Sequence, residues 1–416
     1  MIGVPRNSSQ RAAVSALAWP GALGVGAAVA RDDIRLVARE GELLELAGEW
    51  NRLVDRSRQP SVFLRHEWFE AAWQWRRSDA SLFVLGWYRD GALASVLPLV
   101  LRREGVGPAA IRALEFLAVP DAQLCDLIVG AGDEVAASQA FIRALEARRG
   151  AWDILRLRGL PRGAMGAALA DAFRDRRFIV EALESDRNLY VPLSDSWDAY
   201  YGTRTRSLKK ANNLAANRLQ KAGEVSIRWI EPGSRPAAED VEHTVATCVG
   251  ISARSWKGNI DTGLDKPGPQ AFIRRLSERA AERGWLSVWT VSLDGRPVAM
   301  EYQLVADGNV YALRADFDAA CETISPGSHL SRQLLERMFG RGLQRYYMGP
   351  GENPYKLRWT DQGEALDEVW IYGRTMRGRA VALWERSLKP ALRTVRDAIR
   401  RKRAAPAGTV PEKETQ

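Results

Sequence analysis

Three cysteines and three histidines are few for a chain of 416 residues. Cys125, Cys248 and Cys321 lie far apart with no C-x-x-C spacing, and only His66, His243 and His329 accompany them. Neither a disulfide framework nor a zinc cluster can be assembled from such a set, so no metal is expected. No G-x-x-x-x-G-K-S/T, G-x-S-x-G or H-E-x-x-H occurs, and P-loop, hydrolase-elbow and zincin chemistry therefore have no anchor. Gly349-Pro350-Gly351 is a G-x-G without a third glycine or a long following helix, which sets aside a dinucleotide-binding turn as well.

Long apolar runs are equally scarce. The one extended uncharged stretch, Ala12 to Ala30, is mostly alanine and glycine around Pro20, too weakly hydrophobic for a membrane span. It follows Arg6 and Arg11 and ends in Ala28-Val29-Ala30, a pattern shared with signal-peptidase sites. Residues 1–30 are expected to form a flexible extension, read either as an export signal or as a start-site error. Cysteine usage points to a cytoplasmic protein.

Charge is confined to one place. The net charge is +9, and between Arg374 and Arg403 eleven basic residues face only Glu385 and Asp397, so the rest of the chain is formally neutral. Trp384, Leu388, Leu392, Val395 and Ile399 recur at helical spacing in that segment. Residues 377–403 thus predict a basic amphipathic helix, able to meet the inner membrane surface or a synthase partner, and 404–416 a disordered tail.

What the sequence does contain is a repeated hairpin. SLFVLGWYRDGALASVLPLV, from Ser81, turns at Asp90-Gly91; WLSVWTVSLDGRPVAMEYQLV, from Trp285, turns at Asp294-Gly295. Asp-Gly accepts the positive φ of a tight turn, and β-branched and aromatic residues flank it on both sides. At a constant offset Leu82 meets Leu286 and Val84 meets Val288. Each hairpin follows a helical pattern (FLRHEWFEAAWQW; AFIRRLSERAAERG) and precedes a strand, a helix and a further strand. An α/β (α+β) fold results, two similar units near 31–195 and 196–376, each a mixed twisted sheet layered by helices.

The second unit carries the chemistry. Strand NVYALRADF leads through Ser325-Pro326-Gly327-Ser328 into a helix from Gly327 to Arg341, whose amino end offers unpaired N–H groups to an anion. Strand QRYYM then leads into GPGENPYKLRWTDQ, where glycines permit close approach and Lys356, Arg358 and Trp359 supply charge and a flat apolar face. Sheets of this class bind ligands at neighbouring strand ends.

Phe317-Asp318, Ser325 to Gly327 and the stretch YKLRWTD, Tyr355 to Asp361, resemble the GNAT-fold acetyltransferases grouped with cellulose biosynthesis, the CelD-like group. The resemblance spans residues 35 to 373. It implies tandem GNAT-like units in which the second takes acetyl-CoA as co-substrate, between the strands ending near Phe317 and Met348. Phe317, Ser325, Gly327, Ser328 and His329 would contact it. The usual GNAT pyrophosphate signature, Gln/Arg-x-x-Gly-x-Gly/Ala, is replaced here by Cys321 to Ser328. The chain is also similar to the Fem-type aminoacyl-tRNA-dependent transferases, which leaves aminoacyl-tRNA as the alternative donor.

Acyl transfer to an amine needs a base, a polarised carbonyl and a proton for the leaving thiolate. Asp318 and Glu301 are the expected bases, Tyr355 the proton donor, and Lys356 the partner of donor phosphate or oxyanion. Arg358 and Trp359 are expected to line the acceptor site, with Lys209 and Lys210, on the basic helix that begins near Thr203, as acceptor or phosphate contacts. The implied acceptor is an amino sugar or similar amine of exopolysaccharide or envelope metabolism. A non-catalytic accessory of a polysaccharide synthase is the remaining reading.

Overall fold

The computed structural model describes residues 32–107, 110–255 and 261–389. The expected extension at 1–30 and tail at 404–416 lie outside them, as does the helix of 377–403 beyond its first half. The first half of the chain runs β1 (Asp33–Val37), α1 (Glu40–Glu45), α2 (Ala47–Asp55), α3 (His66–Arg76), β2 (Ala80–Arg89), β3 (Ala92–Glu104), β4 (Ile111–Phe116), β5 (Ile128–Val129), α4 (Glu134–Ala147), β6 (Ile154–Pro161), α5 (Met165–Asp175) and β7 (Ile179–Pro192). The second runs α6 (Trp197–Gly202), α7 (Arg206–Ala222), β8 (Val225–Ile230), α8 (Ala238–Ala253), α9 (Pro267–Arg283), β9 (Leu286–Leu293), β10 (Arg296–Ala306), β11 (Asn309–Phe317), α10 (Pro326–Met338), β12 (Arg345–Pro350), α11 (Pro354–Leu357), β13 (Gly363–Tyr372) and α12 (Met376–Leu383).

Both Asp-Gly turns form as expected, with φ of 52° and 83° at Asp90 and Gly91 and 49° and 76° at Asp294 and Gly295. A third turn of this kind, Asp307-Gly308, links β10 to β11. The repeated positions also share an environment: Leu82, Val84, Leu286 and Val288 are buried in one apolar core. Two helical expectations shift at their starts. Val62–Leu64 forms a 3-10 turn before α3, and the helix expected from Gly327 to Arg341 runs from Pro326 to Met338.

A single mixed sheet carries the molecule, in the order β1-β2-β3-β4-β6-β13-β7-β12-β11-β10-β9-β8, with β5 beside β3. The two halves meet by exchanging strands. β13, from the end of the second half, pairs with both β6 and β7, while β7, from the end of the first, pairs with both β13 and β12. Neither half has a closed sheet of its own, because the inner strand of each comes from the other.

One core fills the space between halves on one face of the sheet. There α3 packs on α9, with Trp68 edge-on to Phe272 at 5.4 Å between ring centroids. Gly268 sits so close to Trp75 that a Cβ would strike the indole. Glu70 binds Arg279 at 2.9 Å, and Glu67 binds Arg283, so charged pairs seal the rim of an apolar joint. The opposite face carries separate cores, α4 and α5 over the first half and α7 and α10 over the second.

A second tie is buried. Asp121, from the segment after β4, pairs with Arg314 of β11 at 2.7 Å, both largely withdrawn from water. Removing one member of such a pair strands the other charge, a loss of about 3–5 kcal/mol, whereas replacing both by apolar groups is far milder. Arg314→Ala is therefore expected to lower the urea midpoint by much more than the double change Asp121→Leu, Arg314→Met; equal shifts would show that the pair does not hold the halves.

Candidate active site

The site begins where two parallel strands separate. β11 and β12 pair only from Asn309 to Tyr311 against Arg345 to Tyr347. Beyond that β11 follows β10 to Phe317, whereas β12 bends toward β7 with a register shift between Tyr347 and Pro350. Gly349, at φ of 82°, occupies the bend, a conformation that disfavours residues with a Cβ. The strands leave a wedge, and backbone groups lining it need new partners.

Those partners come from both halves. The amide of Gln123 donates to the Ala312 carbonyl at 2.8 Å, and Asn188 of β7 donates to the Gln123 side-chain oxygen at 3.4 Å. Lys356 Nζ donates to the carbonyls of Gly349 and Pro350 at 2.8 and 2.7 Å. The short helix α11, opened by Pro354, turns Lys356 inward and leaves Tyr355 and Leu357 half exposed. Lys356, expected to hold phosphate or an oxyanion, thus braces the end of β12. The tip of the wedge is filled by an amide and an ammonium.

Next to the wedge, β10 carries Glu301 toward the α7 and α10 face. The residue is 4% exposed. Oε1 accepts from Tyr346 Oη on β12 and from Gln303 Nε2 at 2.7 Å. Gln303 is held in turn by Ser287 Oγ at 3.0 Å, and Ser287 by Trp229 Nε1 at 3.0 Å. Both bonds to Glu301 fall on Oε1, so Oε2 has no hydrogen bond among the described residues. Burial raises the carboxyl to about 7 despite the two donors, which pull the other way. Tyr346 and Tyr355 are both pushed upward by desolvation and by the neighbouring Glu301 charge, so each phenol keeps its proton at neutral pH.

Asp318 behaves differently. Burial favours its neutral form, yet Arg254 Nε at 2.7 Å and Arg296 hold it below the ordinary carboxylate range. Its Oδ1 accepts from Ala320 N, capping the 3-10 turn Ala319–Ile324. An ion-paired cap of low basicity does not suit proton abstraction, and Glu301 is the better placed of the two expected bases.

The start of α10 is open to an anion. Ser325, at φ of 54°, does not cap it; its hydroxyl points back to the Glu322 carbonyl. Pro326 brings no N–H, and those of Gly327 and Ser328 carry no hydrogen bond among the described residues. No acid occupies the first turn. The Phe317 ring lies over Gly327, close enough that a Cβ there would touch it at 3.5 Å. His329 is buried, and burial, with Arg332 nearby, lowers its pKa and keeps it neutral.

Other expected contacts are engaged elsewhere. Trp359 is a core residue, its carbonyl receiving Tyr200 Oη at 2.7 Å and Arg204, so it does not line an open site. Arg358 is exposed. Lys209 folds back on the Gly202 carbonyl at 2.7 Å, and Lys210 stands on the outer face of α7. Arg218, further along α7, reaches the Thr323 carbonyl just before α10 at 3.1 Å. Arg218, Gln123, Tyr346, Arg254 and Arg296 join the site from positions that no sequence motif marks. Of these, only the alternation of the strand RYYM offered a signal, placing Tyr346 and Met348 on one face.

The first half repeats the geometry and closes it. β4 and β6 are parallel over Ala113 to Glu115 and Ile154 to Arg156, but Cys125 N donates to the Gly159 carbonyl at 2.8 Å where they would part. The helix that follows β4 and β5 starts at acidic residues, Asp133 and Glu134.

Comparison with known proteins agrees with this architecture. Residues 206–357 match the family model for the Acetyltransferase (GNAT) domain. No curated protein sequence matches the chain. Among solved structures, FemX is similar over 78% of this chain and 96% of its own, with 10% identity and a TM-score of 0.50. L-PGS from Bacillus licheniformis is similar over 81% and 94%, at 12% identity and a TM-score of 0.47. A tandem GNAT protein from the clavulanic acid biosynthesis pathway is similar over 82% and 100%, at 11% identity and a TM-score of 0.44. At 10% identity the likeness to FemX is one of fold. Among the described residues no helix is long and apolar enough to cross a membrane. The chain is a mixed α/β protein of GNAT fold, and residues 206–357 of its second half are similar to the Acetyltransferase (GNAT) domain.

Proposed function

We propose that the protein is an N-acyltransferase that takes acetyl from acetyl-CoA and passes it to an amine, an amino sugar or similar group in polysaccharide or cell-envelope metabolism. Glu301 carries this reading: a buried carboxyl poised at about 7, with Oε2 uncommitted, on the strand beside the wedge. A base near the working pH combines sufficient ionisation with sufficient affinity for the proton.

The donor set fits an anionic carrier. Gly327 and Ser328 N–H groups, at the positive end of α10 and without acidic neighbours in its first turn, would hold its phosphates. The thioester supplies the activated acyl group. The amine nitrogen forms a bond to the carbonyl carbon as Glu301 Oε2 takes a proton from it; the carbon–sulfur bond then breaks and the thiolate is protonated. Tyr355, which keeps its proton, is the candidate donor for that last step. Lys356 holds the bend of β12 in place, and exposed Arg358 is available to the acceptor.

Isothermal titration with acetyl-CoA, with aminoacyl-tRNA in parallel, tests the donor. Binding of acetyl-CoA is expected; protection by aminoacyl-tRNA alone would transfer the site to the Fem-type reaction. Glu301→Gln should lower kcat by roughly 10²–10³-fold with little change in acetyl-CoA affinity, and the acidic limb of the wild-type profile should lie near pH 7. Full turnover in that variant removes Glu301 as base.

The same carboxyl has a signature that needs no substrate. From an ordinary value of 4.5 to about 7, the unfolded chain ionises while folded Glu301 stays protonated. Stability should fall across that window, by an amount on the order of 3 kcal/mol, and level off above it. Urea midpoints measured between pH 4.5 and 8 should lose this slope in Glu301→Gln. An unchanged slope places the titration elsewhere.

A further inference from the structure

α12 inverts the usual arrangement of a docked helix. Its inward residues are small: Val381 and Ala382 rest on Ala113, Ile154 and Tyr372, and Gly378 lies so close to Gly373 that a Cβ would collide with its carbonyl. Its large apolar residues face water. Met376 is 90% exposed, Leu383 58%, and in the wider turn Trp384–Leu388 that continues the helix, Trp384 is 45% and Leu388 47% exposed. Their spacing places them along one stripe. Ile179 and Leu183 of β7, also exposed, flank Glu181, the partner of Arg386 at 2.8 Å, and so adjoin the same surface.

We propose that this stripe is a docking surface for a membrane carrying anionic lipid. The helix is held rigidly enough to present it: Thr375 caps Gly378 N at 3.0 Å, Arg377 reaches the Ala110 carbonyl, and Arg386 is tied to Glu181. Charge selects the occupant. The stripe lies within the segment Arg374 to Arg403, whose eleven basic and two acidic residues account for the whole net charge of +9; Arg374, Arg377, Arg386 and Lys389 are ion-paired within the fold, so the cations left for a partner are Arg379 and the six between Arg393 and Arg403, outside the described residues. A nucleic acid would meet those cations and leave Leu383, Trp384 and Leu388 in water, whereas a second copy of the chain would bring two such segments together. A lipid surface receives both parts, the apolar side chains at the acyl boundary and the cations among anionic headgroups, with Trp384 suited to the interface between them. The sequence repeats the pattern in Leu392, Val395 and Ile399, outside the described residues. The docking is independent of acyl transfer and stands or falls separately from it.

Co-sedimentation of the full chain with vesicles tests the assignment. Binding is expected to phosphatidylcholine vesicles containing about a third phosphatidylglycerol, to weaken with salt, and to be minor on phosphatidylcholine alone. The double variant Leu383→Glu, Leu388→Glu should bind about tenfold less strongly while melting at the wild-type temperature, because both side chains face solvent. Four results overturn the proposal: no partition onto anionic vesicles, equal binding by the double variant, release of the protein from vesicles by RNA with the variant still binding RNA normally, or loss of binding only when residues 1–31 are deleted.

Discussion

The separation of β11 from β12 after three residue pairs governs the rest of the second half. Parallel strands that part inside a protein release carbonyl and N–H groups that cannot be left without partners. Here the solution is split: Lys356, seven residues beyond Gly349 in sequence, satisfies the β12 side, and Gln123, 189 residues from Ala312, satisfies the β11 side. The β11 side of the wedge is therefore held by the first half reaching into the second. Asp121, two residues before Gln123, fixes the same segment to Arg314, so the buried ion pair and the amide act on one strand from one loop.

Strand exchange makes that reach dependable. A sheet that ended at β7 or at β12 would expose a ladder edge to solvent and to other chains. With β13 placed between β6 and β7, and β7 between β13 and β12, both inner edges are paired and the halves cannot rotate against each other without breaking ladders. The segment after β4 is then presented to β11 at a constant height, and the packing of α3 on α9 holds the same alignment on one face of the sheet.

Local features of this arrangement are legible in the sequence. Asp-Gly hairpins, the strand Asn309 to Phe317 and the helix after Ser325-Pro326-Gly327 depend on a few consecutive residues, and nothing distant overrides them. Glu301 is visible as a carboxyl in a strand, but its burial is not, because that depends on Tyr346 from another strand and on the helices that cover both. Asp318 misleads for the same reason: its basicity is decided by Arg254 and Arg296, 64 and 22 residues away. Ser325 has the residue type of a cap and the wrong backbone for one, since the left-handed conformation aims its hydroxyl at Glu322. Trp359 reads as a ligand face beside Lys356 and Arg358, yet Tyr200 and Arg204 pull its backbone inward and the ring follows into the core.

The two halves present the same parallel-strand motif and differ in what surrounds it. In the first, the backbone of Cys125 occupies Gly159, and Asp133 and Glu134, paired with Arg89 and Arg58, stand at the helix start. In the second, the equivalent helix starts with proline and glycine, no acid in its first turn, and two N–H groups without a hydrogen bond among the described residues, while Arg218 reaches the turn before it. Backbone topology is thus common to both, and the halves differ in what already occupies the strand ends and the helix start. A half that supplies Gln123 and Asp121 to its neighbour has its own loop drawn across its own strand ends, so closing one wedge and bracing the other are a single structural event. Glu301, the proposed base, lies in the half whose wedge is braced by side chains rather than filled by backbone.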